Sequence, residues 1–177
     1  MADSDDPRFV IQEHDASSRH WDFRLEVDGV LRSWAVPKGP STDPSEKRLA
    51  IPTEYHPLEY ADFEGVIPQD EYGAGAVIVW DEGRYRNLKE GEGEDDAPSV
   101  ADQLEEGHAT VWLEGRKIRG GYALQRMESG DEERWLLVKI DDEEADARRN
   151  PVSTEPESVL SDRTVEDVAD QEGDGDQ

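Results

Sequence analysis

The residues best suited to chemistry lie at positions 20–27, a run in which polar and apolar side chains alternate. The run reads HWDFRLEV. Because successive side chains of a β-strand point to opposite faces, the polar residues are predicted to share one face, namely His20, Asp22, Arg24 and Glu26. The apolar residues then face the core. Such a strand would present an imidazole, a carboxylate and a guanidinium on one titratable surface.

Histidines are concentrated near this strand. Three of the four, His14, His20 and His56, lie in or near polar motifs in the first part of the chain. Imidazole and carboxylate ligands suit Mn, Zn, Fe or Ni, and two histidines with one carboxylate leave coordination positions open for water and substrate. Since the chain has no cysteine, any metal must bind to nitrogen and oxygen atoms. The fourth histidine, His108, begins a predicted strand and is interpreted as structural.

Arginine is the second residue type that is suited to this chemistry. The planar guanidinium binds two phosphate oxygens at once, which suits a phosphate that lies beside a metal. Arg24 is predicted on the same face as Asp22. Arg48 lies in the separate stretch EKRLA, and the sequence alone favours an ordinary surface position for it.

A tight turn is predicted directly after the polar strand. Asp28-Gly29 is typical of a two-residue type I′ hairpin, which requires positive φ at both positions. This turn fixes the register and predicts the pairs Val27–Val30, Phe23–Trp34, Arg24–Ser33 and Asp22–Ala35. The small side chains of Ser33 and Ala35 would leave room for a ligand above the charged row.

The wider pattern is that of a mainly β protein. Short apolar or alternating runs separated by turns predict eight antiparallel strands, at residues 9–12, 20–27, 30–36, 76–80, 83–86, 109–113, 122–126 and 134–140. This number indicates a barrel or a sandwich. A helix is predicted over residues 99–106, between a serine cap and Gly107, and it is the only helix expected within the core. Residues 87–98 have no apolar period and are interpreted as an exposed loop.

The charge of the chain is strongly negative. There are 45 acidic and 19 basic residues, which gives a formal net charge of −26. Such an excess is interpreted as a solvated acidic surface, of the kind that a salt-rich cytoplasm would explain. At about 1 M salt the Debye length is about 3 Å, so the acidity does not exclude nucleic acid as a ligand. An acidic mimic of DNA is the alternative interpretation.

The length of 177 residues fits one domain with a tail. We expect a flexible start at residues 1–7, a β-barrel domain at 8–141, and an acidic segment at 142–177 that packs to about residue 170 and is then disordered. The sequence shows neither a signal peptide nor an apolar run of membrane-spanning length, so a cytoplasmic location is expected.

Several motifs together resemble one known family. The opening block FVIQEHDASSRHWDFRLEVDGVLRSWAVPKGPS contains HxDxR and PKGP, and later segments contain HPLEYADFEG and YGAG. This combination resembles the 3′-phosphoesterase family, which is found as the N-terminal module of bacterial DNA ligase D and as free-standing archaeal proteins. The likeness extends over about residues 8–170.

The resemblance implies a closed or partly open antiparallel β-barrel with a surface active-site groove and one or a few short helices. It also implies an Mn²⁺-dependent enzyme, with other divalent transition metals as alternatives. The expected activities are those of a 3′-phosphatase and of a phosphodiesterase that removes a 3′-terminal ribonucleoside during end joining. The expected partners are DNA or RNA 3′ ends at primer-template junctions, and separately encoded ligase or polymerase repair proteins.

The same resemblance assigns roles to individual residues. It implies metal binding by His14, Asp22 and His56. It implies phosphate contacts by the remaining polar residues of the pattern, His20, Arg24 and Arg48. Second-tier candidates near the site are Gln12, Glu54 and Tyr60.

Two other classes of function remain open at this point. A non-catalytic barrel that binds a metal or a small phosphate would keep the same residues but would not prefer a polymer 3′ end. A DNA-mimic protein would explain the acidity but would leave HxDxR and Arg48 without a role. Metal removal would change nothing in the second case.

Overall fold

The fold was obtained as a computed structural model, which describes residues 7–15, 19–67, 75–88, 99–127, 133–149 and 151–173. These residues form nine strands and a few short helices. The strands are β1 (Arg8–Asp15), β2 (Arg19–Val27), β3 (Val30–Val36), β4 (Lys47–Pro57), β5 (Gly65–Ile67), β6 (Gly75–Asn87), β7 (His108–Glu114), β8 (Arg119–Met127) and β9 (Arg134–Lys139).

The strands close into a barrel. Hydrogen-bonded neighbours follow the order β1-β2-β3-β4-β9-β8-β7-β6, all antiparallel, and pairing of β1 with β6 completes the ring. The short β5 pairs with the beginning of β6 and lies outside the ring. The prediction of a mainly β protein is confirmed, and of the two architectures that the residues alone allowed, the barrel is correct.

Alternation along each strand fills the barrel interior. On β2 the side chains of Trp21, Phe23, Leu25 and Val27 all lie in the hydrophobic core. Large aromatic residues from other strands meet them there, such as Trp34, Trp80, Trp135, Tyr85 and Tyr122. The outer face of β2 is therefore the one that carries Asp22 and Arg24.

The hairpin that joins β2 to β3 has the predicted geometry. Asp28 has φ 52° and Gly29 has φ 85°. All four predicted pairs occur in the observed register, from Val27 with Val30 at the turn to Asp22 with Ala35 further along. The turn therefore fixes which residues of β3 lie beside the charged row.

Two predictions about the strands are wrong. Residues 76–80 and 83–86 are parts of one strand, β6, which continues through the irregular register between β1 residues Ile11 and Gln12. Strand β4 was not predicted because KRLAIPTEYHP does not alternate and contains Pro52 and Pro57. These prolines are tolerated because pairing with β9 ends at Ala50, which leaves the rest of β4 at a sheet edge among the described residues.

Helix α1 (Val100–Glu106) is the predicted one. The Ser99 hydroxyl accepts a hydrogen bond from the Asp102 amide, and Gly107 ends the helix in a left-handed conformation, φ 88°. The other helical segments are a 3₁₀ turn (Leu58–Asp62), α2 (Pro151–Thr154), α3 (Val165–Val168) and a π-helical turn (Ala169–Gly173).

The expectation of a single core helix is wrong, because Val165 and Val168 of α3 are buried in the main hydrophobic core. The predicted acidic loop lies almost entirely outside the described residues, as do most of YGAG and the last four residues of the chain. The proposed domain limits stay a prediction. Among the described helices, none has the length and apolar character needed to cross a membrane.

The left-handed hairpin turn gives a test of the fold. A Cβ at Gly29 would meet nothing within 4 Å, so Gly29→Ala should lower the free energy of unfolding only through backbone strain, by about 1–2 kcal/mol. Urea denaturation measures this loss. Asp28→Asn is the control, because asparagine tolerates the same conformation and should change stability little. Equal stability of Gly29→Ala and the original protein would contradict this account of the turn.

Candidate active site

The polar residues of β1, β2 and β3 meet on the outer face of the barrel. In the register of the sheet, His14 pairs with His20, Gln12 with Asp22, and Arg24 with Ser33. Alternation puts these side chains on one face because their neighbours in sequence point inward. Three adjacent strands thus bring together residues that lie up to 21 positions apart in the chain, from Gln12 to Ser33.

This outer face is covered rather than open to solvent. A second hydrophobic cluster, formed by Val10, Leu31, Ala61 and Val79, lies beside the polar group and includes one residue of the 3₁₀ turn. Asp22 keeps 6% of its surface exposed and Arg24 only 3%. The prediction of a titratable surface on this side of β2 is therefore wrong about solvation, because the turn after β4 packs over the strand.

Two histidines approach the Asp22 carboxylate. His20 Nε2 lies 3.2 Å from it and His14 Nδ1 lies 3.8 Å from it. One ligand atom from each of the three residues fits within 4.8 Å of the others, so the group could hold a metal ion. His14 Nε2 is buried and has no hydrogen-bond partner among the described residues. A buried imidazole nitrogen without a partner, next to a carboxylate, fits a divalent transition metal.

Burial alone would raise the pKa of Asp22, but the close contacts with His14 and His20 and the charge of Arg24 outweigh it and hold the pKa below its ordinary value. The carboxylate is therefore ionised at neutral pH. An ionised carboxylate is the form that binds a cation.

Arg24 is fixed by three other side chains. Its Nε donates to Gln12 Oε1 at 2.6 Å and its Nη1 donates to Ser33 Oγ at 2.8 Å. Its Nη2 lies 3.3 Å from the Asp22 carboxylate. A buried guanidinium held at all three nitrogens keeps its charge in one place, which is what recognition of an anion requires.

Gln12 connects Arg24 to the 3₁₀ turn. Its Nε2 donates to the carbonyl oxygens of Tyr60 at 2.8 Å and Phe63 at 3.2 Å. The amide orientation is thereby set by the turn, and its oxygen is left to accept from Arg24. Gln12 is fully buried, so each of these bonds replaces one to water.

His56 contacts a different nitrogen of Arg24 from the one that faces Asp22. Its Nδ1 is 3.1 Å from Arg24 Nη1 and 3.0 Å from the carbonyl oxygen of Glu54. The two contacts exclude each other as hydrogen bonds, because Nδ1 donates to the carbonyl in one tautomer and accepts from Arg24 in the other. Burial, then the charge of Arg24, lowers the pKa of His56, which favours the neutral imidazole that binds metals.

An aromatic stack surrounds His56. Its ring centroid lies 4.6 Å from that of Tyr60, which stacks on Phe63 at 5.1 Å. The guanidinium carbon of Arg24 lies 5.1 Å from the Tyr60 centroid. Tyr60 therefore contacts both His56 and Arg24.

The remaining predicted residues lie further out. The Glu54 side chain is exposed, and only its backbone carbonyl contacts the group. Arg48 pairs with Leu137 and shares a strand face with the core residue Ala50, so it lies on the opposite face of the sheet from Asp22. Arg48 is half-buried, forms an ion pair with Glu46 at 3.5 Å, and has a buried Nε without a hydrogen-bond partner among the described residues.

Ser33 belongs to the site although no motif points to it. Its hydroxyl accepts from Arg24 and donates to the Leu31 carbonyl oxygen at 3.1 Å. The signal was the hairpin register, which placed Ser33 opposite Arg24. A small polar residue facing a buried charge is expected to bind it.

The DNA Ligase D 3′-phosphoesterase domain matches residues 12–126 of this chain. That range begins at Gln12 and contains every other residue of the group just described.

Similar proteins come from several bacteria. The multifunctional non-homologous end joining protein LigD of Pseudomonas aeruginosa is 50% identical over 161 residues, which are 89% of this chain and 18% of that protein. The multifunctional non-homologous end joining DNA repair protein LigD of Mycobacterium tuberculosis is 52% identical over 132 residues, 75% of this chain and 16% of the relative. This chain thus spans less than a fifth of the length of these relatives.

The buried Gln12 provides a test of the site's construction. Gln12→Ala should lower the free energy of unfolding by about 2–4 kcal/mol, because it leaves Arg24 Nε and two backbone carbonyls without partners and opens a cavity. Thermal or urea unfolding measures the effect. Gln125→Ala, the same change at an exposed position of β8, is the matched control and should be nearly neutral. A loss at Gln12 no larger than at Gln125 would contradict the network.

Proposed function

The chain belongs to the DNA ligase D 3′-phosphoesterase family, and on that premise we propose that it is a metal-dependent phosphoesterase that processes the 3′ ends of DNA or RNA strands. One observation carries the proposal. A single buried carboxylate, Asp22, is within contact distance of two imidazoles and of a fixed guanidinium. This arrangement can hold a cation and a phosphate side by side.

The proposed metal ligands are His14, Asp22 and His56, and the proposed metal is Mn²⁺. His14 and Asp22 also belong to the group whose ligand atoms already lie together. In that group the third member is His20, whereas Arg24 contacts both Asp22 and His56. We favour His56 because the Glu54 carbonyl can accept its Nδ1 proton, which is the usual outer partner of a metal-bound imidazole.

A bound divalent cation would polarise a non-bridging phosphate oxygen and lower the pKa of a coordinated water. The chain's own contribution is electrostatic. Arg24 has five N–H groups, of which one binds Gln12, one Ser33 and one Asp22. When His56 Nδ1 donates to the Glu54 carbonyl oxygen, two N–H groups of Arg24 remain free to bind the phosphate. Its charge then stabilises the phosphate oxygens as negative charge develops, at no further cost in reorganisation.

His20 is proposed to contact the phosphate and to donate a proton to the departing 3′ oxygen. Its Nε2 lies 3.2 Å from the Asp22 carboxylate, which keeps the ring beside the site. Arg48 is proposed as a phosphate contact on the family pattern alone. Because it lies on the opposite sheet face from Asp22, we assign it to another phosphate of the strand than the one beside Arg24, and its unpartnered Nε leaves a donor for that contact.

The proposed substrates follow from this chemistry. A strand that ends in a 3′-phosphate would be converted to a 3′-hydroxyl. A terminal ribonucleotide would be removed by cleavage of its diester and then of the remaining phosphate. Because the relatives are named for non-homologous end joining, we place the activity in DNA end repair, at primer-template junctions and alongside separately encoded ligase or polymerase proteins.

The activity is tested with a labelled primer-template that ends in a 3′-phosphate. Conversion to a 3′-hydroxyl should require Mn²⁺, stop with chelator, and fall at least about 100-fold in Asp22→Ala, since loss of a ligand costs more than loss of its outer partner. His108→Ala, at an exposed histidine of β7, is the control and should keep full activity. Equal activity of Asp22→Ala and the original protein would exclude this site. No conversion by folded, metal-loaded protein would favour a binding barrel.

The third metal ligand is tested by comparing two histidine variants. We expect His56→Ala to weaken Mn²⁺ binding about 10-fold or more, and His20→Ala to keep Mn²⁺ affinity while lowering kcat. Electron paramagnetic resonance of free Mn²⁺ gives the affinities. Weaker binding in His20→Ala alone would assign the third position to His20. Unchanged affinity in both variants would contradict a three-ligand site.

A further inference from the structure

An exposed aromatic residue lies next to the proposed active site. Tyr55 of β4 keeps 61% of its surface exposed, the largest exposed fraction among the large hydrophobic residues that the structure describes. It directly precedes His56, whose ring contacts Arg24. The Tyr55 ring shares a sheet face with Arg32 and Trp34, opposite to the face of His56. Because pairing of β4 with β9 ends at Ala50 among the described residues, a strand whose 3′ end enters the site can pass over this edge of β4 and reach the Tyr55 ring.

A bulge sets the direction of Tyr55. Ser33 of β3 pairs with Thr53, whereas Leu31, two residues earlier, pairs with His56. The two pairs are three residues apart on β4 but only two residues apart on β3. Strand β4 therefore has one extra residue between Thr53 and His56. Bulges of this kind redirect side chains and are common beside active sites.

Arg32 holds the tyrosine ring. Its guanidinium carbon lies 4.9 Å from the Tyr55 centroid and 6.0 Å from that of the buried Trp34. In a protein with 45 acidic residues, Arg32 forms no ion pair with any carboxylate of the described ranges. The guanidinium is thus placed against aromatic rings and keeps its charge available to an external anion.

The net charge makes an uncharged contact valuable. At −26 the protein repels a polyanion unless salt screens the repulsion, so long-range attraction cannot supply most of the affinity. Stacking of a base on an aromatic ring does not require salt to screen the net charge, and every base has a flat π-face that can stack. An exposed ring beside an arginine is the combination that binds single-stranded nucleic acid.

We infer that Tyr55, held by Arg32, is a stacking surface for one of the last bases of the strand whose 3′ end enters the site. The inference rests on the proposed function and deepens it, because it makes a nucleobase part of what the site recognises. Arg32 contacts the backbone phosphate of the same strand. A small phosphate ester without a base would use the Asp22 site but not this surface.

The test is equilibrium binding in chelator, measured by fluorescence anisotropy with a labelled primer-template that carries a 3′-phosphate. A second probe lacks the bases of its last nucleotides. We expect Tyr55→Ala to raise Kd about 10-fold or more for the normal probe at low and at high salt, the loss expected for one stacked base. For the abasic probe the same variant should bind like the original protein. Tyr55→Phe should restore binding.

Two further variants complete the design. Arg32→Gln should weaken binding more at low salt than at high salt, as loss of a phosphate contact does. Leu160→Ala removes an exposed side chain elsewhere, at 47% exposure, and should leave Kd unchanged. With Mn²⁺ present, Tyr55→Ala should raise KM for the normal probe without lowering kcat.

The outcomes separate the inference from the proposed function. Unchanged Kd in Tyr55→Ala, or an equal loss for normal and abasic probes, overturns the stacking surface whether or not the protein hydrolyses the probe. Base-dependent loss of affinity without hydrolysis by the original protein supports the surface and overturns the proposed activity. Equal thermal unfolding of Tyr55→Ala and the original protein shows that the loss is not one of folding.

Discussion

The structure depends on the burial of one carboxylate. Asp22 is almost fully enclosed on the outer face of the barrel, and a buried charge is tolerated only when it is paired and hydrogen-bonded. His14, His20 and Arg24 supply that pairing. Arg24 is itself a buried charge, so it requires partners of its own. The residues of this group therefore stabilise one negative charge, on Asp22, and one positive charge, on Arg24, which are both buried away from water.

The barrel makes this arrangement precise. The group lies on β1, β2 and β3, three hydrogen-bonded neighbours, so its geometry is set by strand register rather than by loops. The 3₁₀ turn then closes over it through two carbonyls that bind Gln12. Strand β4 adds His56 at its end, where pairing with β9 has stopped and the register with β3 is irregular. The same irregular end exposes Tyr55, so catalysis and strand recognition are proposed on one short segment.

Sequence predicted the parts of the site that depend on local rules. Alternation in HWDFRLEV and the Asp28-Gly29 turn gave the correct face and register for Asp22, Arg24 and Ser33. Long-range packing could not be read in this way. The proline-containing β4, the cover formed by the 3₁₀ turn, and the resulting burial of Gln12 arise from contacts between distant segments. The position of Arg48 on the other sheet face follows from its pairing with β9, which the motif containing it does not reveal.

The position of a bound metal would show whether Asp22 organises the active site. Crystals soaked with Mn²⁺ and inorganic phosphate would give an anomalous peak at the metal. We expect that peak beside Asp22 and His14, with Asp22 among the ligands of the metal and the phosphate within hydrogen-bond distance of Arg24. A peak elsewhere on the acidic surface, or phosphate bound without any contact to Arg24, would contradict the claim that this buried carboxylate organises the active site.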